Sequence, residues 1–396
     1  MDKAGKQYWD KAWGAYDIPK EVNPRYGAAF PVTVSLETVN YCNAACIFCP
    51  LFAGNDRIDR KLRPAMMMDQ DLFTKLIEEI ATWDVKPTVF LNMDGEPLLD
   101  KHFKERLTIL QKADLSQNVN LQTNGEYLTQ ETSTAILKAG LSSITIGFDG
   151  ASKEVYESHR VGCHYDIVLG NIVEFVRIRA SLRKSTVLAI KFVRTKQNSH
   201  EVADAYKLFA GILNPWIDIF YDTISENWGN PVLENVVFAG IQNDILPKYC
   251  GYLDNNLVIL ADGSVSPCCF DYNLSIAGGP IGNVRRQTIL DVWRGTSFEN
   301  LRRSLRQPGR DGKPARCLAC GLSFSRPAHF YAGGPAIEGR FAQSQENGFN
   351  YYFTKHLKIR RFVQLALGAR SWGASWALRR GASLARSVLK RRFGIG

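Results

Sequence analysis

The sequence predicts an α/β protein: repeated strand–helix units forming a parallel sheet, open or partly closed into a barrel, followed by a small α+β domain. Three observations predict it. Short apolar or β-branched runs alternate with helix-length segments from residue 31 to about 225, the pattern of successive βαβ units. Further on, two strand-like runs flank Asp262-Gly263, a hairpin turn signal, ahead of an amphipathic segment with helical spacing. Finally, the cysteines gather in two groups, one in each block.

The elements follow in order. Residues 1–30 form an N-terminal extension, and the first strand-like run covers 31–39. Five more runs lie at 88–94, 119–123, 143–149, 186–193 and 217–224. The helix-like segments that precede them are Asp69–Thr82, Lys101–Lys112, Thr129–Ala139, Tyr165–Leu182 and His200–Ile212. In a sheet of this kind ligands bind at the carboxyl ends of the strands. The core is expected over 31–225, with 226–249 as a connector and 250–325 as the second domain. Within that domain Thr288–Arg306 reads as one helix, apolar at Ile289, Leu290, Val292, Trp293, Phe298, Leu301 and Leu305. Residues 326–350 read as loop and 351–396 as a basic amphipathic tail.

Composition excludes several classes. With 396 residues, 45% hydrophobic and 22% charged, the chain is neither disordered nor collagen-like. Its net charge of +10 is not spread evenly. The tail carries 11 of the 49 Lys and Arg and no acid, leaving 38 basic against 39 acidic residues in the first 350. Nucleic-acid binding is therefore disfavoured, because the body is neutral and carries no RNA-binding motif. Met1–Tyr16 mixes both charges without an apolar stretch, and no 18 uninterrupted apolar residues occur anywhere, so a cytosolic location is expected. There, clustered thiols point to metal rather than to disulfides.

Cys42-x3-Cys46-x2-Cys49 directly follows the first strand, on the face where a ligand should sit. Three thiolates suit three corners of a cubane iron–sulfur cluster and leave one iron open. A structural zinc site would ask for a fourth ligand, which this loop lacks.

This spacing, with the aromatic Phe48 before the last cysteine, resembles the signature of the radical S-adenosylmethionine (SAM) superfamily. The resemblance covers about residues 31–225 and implies a partial (βα)6 barrel. It extends to Asp94-Gly95-Glu96-Pro97 after the second strand, where the family has Gly-Gly-Glu-Pro, and implies that Gly95, Glu96 and Pro97 take the SAM amino group. Thr123-Asn124-Gly125 and Asp149, at the ends of the third and fourth strands, stand where the family places polar groups near the ribose and methionine portions. Lys191 on the fifth strand is a candidate for the SAM carboxylate, with a solvated strand-end lysine as the alternative. Two departures stand out: Asp94 replaces the first glycine, and Gly147 stands where a serine often precedes the aspartate. The resemblance implies a [4Fe–4S] cluster on Cys42, Cys46 and Cys49, a 5′-deoxyadenosyl radical that abstracts substrate hydrogen, and a reducing partner such as flavodoxin or ferredoxin.

Cys250, Cys268, Cys317 and Cys320 supply four thiolates around a hairpin. Their arrangement resembles the SPASM or shorter twitch domain, with a zinc ribbon as the alternative. No cysteine follows Cys320, so a single auxiliary [4Fe–4S] cluster is expected, with Cys269 as a substitute for Cys268. Closed by four protein ligands, such a cluster suits electron transfer. The resemblance then implies oxidation or epimerisation of a sugar or cyclitol-type small molecule. Modification of a peptide by a maturase is the second reading, and a pure electron carrier or binding protein the third. Only about thirty residues precede the first strand, too few for a leader-binding domain. Cys163 and Cys269 remain as spare thiols.

In the tail, Phe362, Leu365, Trp372, Trp376, Leu384 and Leu389 are interspersed with Arg and Lys. The pattern suits peripheral contact with anionic lipid, against a helix docked on the core or a solvated tail. Membrane contact would favour a lipid-linked sugar as substrate. The full chain should float with anionic liposomes while a chain ending at Asn350 stays in the soluble fraction, and equal behaviour would remove the membrane reading.

Overall fold

Six strands, β1 (Thr33–Leu36), β2 (Thr88–Phe90), β3 (Val119–Thr123), β4 (Ser143–Gly147), β5 (Val187–Arg194) and β6 (Ile219–Ile224), pair in parallel in that order. The computed structural model describes residues 29–51, 63–214, 217–224, 236, 250–307, 309, 311–318 and 329–331, all within the compact unit Met1–Gly348. The basic tail, the extension before residue 29, nearly all of the connector and Cys320 lie outside the described residues.

Helices α1 (Gln70–Thr82), α2 (Phe103–Lys112), α3 (Gln130–Ala139), α4 (Lys153–His159), α5 (Tyr165–Ser181) and α6 (Val202–Ala210) occupy the crossovers. Short polar residues set their starts. Asp69 accepts the Leu72 N–H at 2.8 Å, and Thr129 and Ser152 cap α3 and α4 in the same way. Gly140 ends α3 in the left-handed conformation, with φ 76°. Helix α4 has no counterpart among the sequence expectations: at seven residues it is too short for its period to show. A continuous core fills the space between strands and helices, including Val34, Leu36, Phe73, Ile77, Leu121, Ile144, Ile146, Phe148, Phe175 and Ile190, all fully buried.

The second block continues the same sheet. After helix α7 (Gly251–Asn255), strand β7 (Asn256–Ile259) pairs in parallel with the free edge of β1, and β8 (Ser264–Ser266) and β9 (Gly282–Asn283) add antiparallel strands beyond it. Gly263 turns the β7–β8 hairpin at φ 88°. Thr288–Arg306 differs from the expected single helix: Gly295 interrupts it, giving α8 (Ile289–Trp293) and α9 (Thr296–Arg306). A side chain there would meet the Asp291 carbonyl oxygen at 2.8 Å. Helix α10 (Ala315–Leu318) follows. His329–Tyr331, expected to be loop, forms β10 antiparallel to β6, where it covers the other open edge.

One buried ion pair fastens the loop after β2 to the helical layer. Arg106 Nε stands 2.6 Å from Asp100 Oδ2, and neither side chain is exposed. The same guanidinium donates to the Met68 carbonyl at 2.5 Å and lies 4.6 Å from the centre of the Phe73 ring. Arg106→Ala would leave the Asp100 carboxylate buried without compensation. It should lower unfolding stability by about 3–5 kcal/mol, read from the urea midpoint.

Candidate active site

The loop Cys42–Cys49 leaves β1 at its carboxyl end and is clamped from the far side by the segment after α4. Ala45 N–H donates to the Val161 carbonyl at 2.7 Å and Ile47 N–H to the His159 carbonyl at 3.0 Å. Gly162 lies so near the loop that a Cβ would meet the Asn43 carbonyl oxygen at 2.7 Å. The next loop is equally close. A Cβ on Gly95 would stand 2.3 Å from the Val39 carbonyl oxygen and 2.8 Å from that of Tyr41, so only glycine fits. Glu96 N–H donates to the Tyr41 carbonyl at 3.0 Å.

The Glu96 carboxylate is buried and accepts from Thr123 Oγ1 at 2.5 Å, Asn124 N–H at 2.7 Å and Leu98 N–H at 3.0 Å. Burial raises its pKa, and these donors oppose the rise. Pro97 begins the turn of 3-10 helix that follows. Sequence-predicted residues from the first, second and third strand ends therefore meet at one place. The Asn124 side chain also turns toward the cysteine loop.

Asp149 is fully buried. Its Oδ2 stands 2.6 Å from Arg160 Nε, and its Oδ1 accepts the Val193 N–H at 2.5 Å. The guanidinium of Arg160 lies 5.5 Å from the Phe48 ring centre and within electrostatic reach of Cys46, Cys42 and Glu96. Along the chain Arg160 reads only as a polar residue near a strand end, with ordinary surface or packing as its expected role, and no fixed spacing links it to Asp149. The signal that could have found it is Gly147, because a Cβ there would stand 1.9 Å from Arg160 Nη2. The glycine departure thus has a steric cause. Lys191 pairs in register with Gly147, and its field is shared with Asp149, Arg160 and Cys269; burial lowers its pKa.

The other departure is also explained by a charge. Asp94 Oδ2 accepts from Arg63 Nη1 at 2.8 Å, and the same guanidinium pairs with the fully buried Glu37 at the end of β1. Glu37 in turn accepts the Ala261 N–H at 3.0 Å, from the hairpin of the second block. Burial, first of all, pushes the Asp94 pKa up, and the nearby Glu37 carboxylate adds to it.

The three thiols of the first loop fit a cluster by chemistry and placement. Burial pushes the Cys42 thiol up to about 12 and raises Cys46 and Cys49 as well. Protonated thiols are thus favoured unless a cation compensates the thiolates. Among the described residues, no three His, Cys, Asp or Glu converge on one metal ion. A cubane instead asks for thiolates on separate irons.

In the second block Cys250 precedes α7 and Cys268 follows β8, close enough for the two sulfurs to feel each other. Burial pushes the Cys250 thiol up to about 11. Cys268 is raised first by its hydrogen bond with Cys269 and then by burial. Cys317 lies on α10, which Arg316 ties to the same loop through Asn273 Oδ1 at 2.6 Å and by stacking 4.2 Å over Tyr272. Cys320 is outside the described residues. Cys163 is buried beside Asn43.

Residues 36–190 match the Radical SAM superfamily, and residues 250–321 match the iron–sulfur cluster-binding SPASM domain. The chain belongs to the radical SAM superfamily and carries a SPASM domain. Its cofactors are S-adenosylmethionine and a [4Fe–4S] cluster, with auxiliary iron–sulfur binding in the second domain. S-adenosyl-L-methionine-dependent 2-deoxy-scyllo-inosamine dehydrogenase of Niallia circulans is 22% identical over 287 residues, 72% of this chain and 91% of that protein. The sporulation killing factor maturation protein SkfB of Bacillus subtilis (strain 168) is 25% identical over 142 residues, 35% of this chain and 32% of that one. In fold, this radical SAM protein is similar to Streptococcus suis SuiB bound to its precursor peptide SuiA, with 14% identity, 87% of this chain and 78% of that chain covered, and a TM-score of 0.54.

Gly147→Ser should drive the Arg160 guanidinium off Asp149 and lower unfolding stability by about 1–3 kcal/mol, measured by denaturant titration of the metal-free protein. Unchanged stability would show that Arg160 does not need the space.

Proposed function

We propose that this radical SAM protein dehydrogenates a carbon bearing a hydroxyl group on a sugar or cyclitol-type small molecule. The observation that carries this reading is the similarity to the scyllo-inosamine dehydrogenase over 72% of this chain and 91% of that protein's length. When bound, SAM and its cluster would supply the radical that takes the carbon-bound hydrogen atom, and the auxiliary cluster would supply an acceptor for the electron released once the hydroxyl proton is lost and the carbonyl forms.

The residues assigned to these tasks follow from where the chain puts them. Cys42, Cys46 and Cys49 hold the first cluster, and the backbone of residues 159–161 keeps their loop in shape. Glu96, fixed by Thr123 and Asn124, offers a carboxylate for the SAM amino group. Three donors held at once fix its direction and oppose the upward pull of burial on its pKa. Arg160, fixed by Asp149, places a permanent positive charge beside Cys46 and offsets the negative charge of thiolates taken out of water. Lys191, in register with Gly147 on the neighbouring strand, would offer its nitrogen to the SAM carboxylate. Phe48 shields the Arg160 guanidinium from the loop side. Cys250, Cys268, Cys317 and Cys320 hold the auxiliary cluster, with a flavodoxin or ferredoxin as electron donor to the protein. Peptide maturation is the competing reading, supported by the similarity to SkfB over 142 residues.

Under anaerobic reduction the loaded protein should convert SAM to 5′-deoxyadenosine, and a C-deuterated sugar or cyclitol substrate should pass its deuterium to that product while gaining a carbonyl. Deuterium transfer with inversion and no carbonyl would mean epimerisation. Transfer only from a peptide would overturn the small-molecule reading. Replacing Cys42, Cys46 and Cys49 together by Ala should remove about four irons per chain and all 5′-deoxyadenosine formation.

A further inference from the structure

Asn124 joins two parts of the site through different atoms. Its backbone N–H donates to Glu96 Oε2 at 2.7 Å, and its side chain points back at the cysteine loop. The direction of that amide is fixed by its neighbours. Asn124 Oδ1 accepts the Glu126 N–H at 3.0 Å, so the nitrogen must be the atom facing the loop. One of its hydrogens goes to Asn43 Oδ1 at 2.9 Å, and Nδ2 lies 3.9 Å from Cys42 Sγ. Asn43 is oriented by the same logic, since its Nδ2 faces the Gly162 carbonyl at 3.5 Å.

Cys42 thereby differs from the other two thiols. It faces a main-chain donor, Ala44 N–H at 3.4 Å, and in addition the Asn124 amide. Among the described residues, Cys46 and Cys49 receive main-chain donors alone, from Cys46 and Leu51. N–H groups aimed at a ligand sulfur withdraw electron density from an iron–sulfur cluster, favour its reduced state and raise its potential. Asn124 is 6% exposed, so water does not replace the donor readily.

We propose that Asn124, held by Asn43 and Glu126, is a positioning residue that raises the reduction potential of the cluster on Cys42, Cys46 and Cys49. Through its backbone bond to Glu96, the same residue ties that potential to the state of the proposed SAM amino site. The inference rests on the assignment of these three cysteines to the cluster.

The test uses the full-length protein reconstituted anaerobically, with iron and sulfide content measured and the midpoint potential read by EPR-monitored titration of the signal that changes on adding SAM. Asn124→Ala should move the midpoint to more negative potential at unchanged iron content, and Asn124→Asp, which cannot donate and adds a charge, should move it further. An unmoved midpoint in Asn124→Ala at full iron content would overturn the proposal. If that variant fails to take up iron, Asn43→Ala carries the test: a smaller shift in the same direction supports the proposal, and an unmoved midpoint overturns it. A wild-type protein without any SAM-responsive cluster would instead overturn the parent assignment.

Discussion

The ion pair between Asp149 and Arg160 is the interaction on which the carboxyl end of the sheet depends. Both groups are removed from water, which costs several kcal/mol per ion unless the geometry returns it. Here Asp149 takes Arg160 on one oxygen and the Val193 N–H on the other, so the end of β4 is joined to β5 and to the segment after α4. That segment is the one whose carbonyls receive Ala45 and Ile47. The shape of the cysteine loop is thus inherited from a charge pair buried three strands along the sheet. Gly147 is part of the same arrangement, because any side chain at that position would occupy the volume of the guanidinium.

The sequence made the framework legible where a period or a fixed spacing carries the information. All six parallel strands, the five longer crossover helices and the Asp262-Gly263 hairpin fall where alternation and turn chemistry put them, because these patterns act within a few residues of chain. Glu96, Thr123 and Asn124 were legible through their resemblance to the superfamily's motifs, and they meet because strand ends of a parallel sheet share one face. Partners separated by long, irregular stretches of chain were not. Arg63 with Asp94 and Glu37, and Asn43 with Asn124, are 26 to 81 residues apart, and no pattern along the chain connects them. The split of Thr288–Arg306 at Gly295 went unseen because both halves keep apolar residues on one face.

The two departures from the superfamily's pattern have different physical characters. Gly147 is a subtraction that makes room. Asp94 is an addition, and it brings a second carboxylate to a single guanidinium, so that Glu37, Asp94 and Arg63 form a group with more acid than base. Its electrostatic neighbours include Arg316, next to Cys317. Charge at this place is therefore felt on both sides of the junction between the cysteine blocks.

That junction is a strand pairing rather than a linker. Strand β7 runs parallel to β1 over four residue pairs, and Ala261, just beyond it, donates to Glu37, just beyond β1. Register in a sheet changes only in whole residues, about 3.3 Å each, and every odd step turns the side chains to the opposite face. The seating of the second block's first strand on β1 is consequently quantised: the pairing behaves as a ruler, not as a tether.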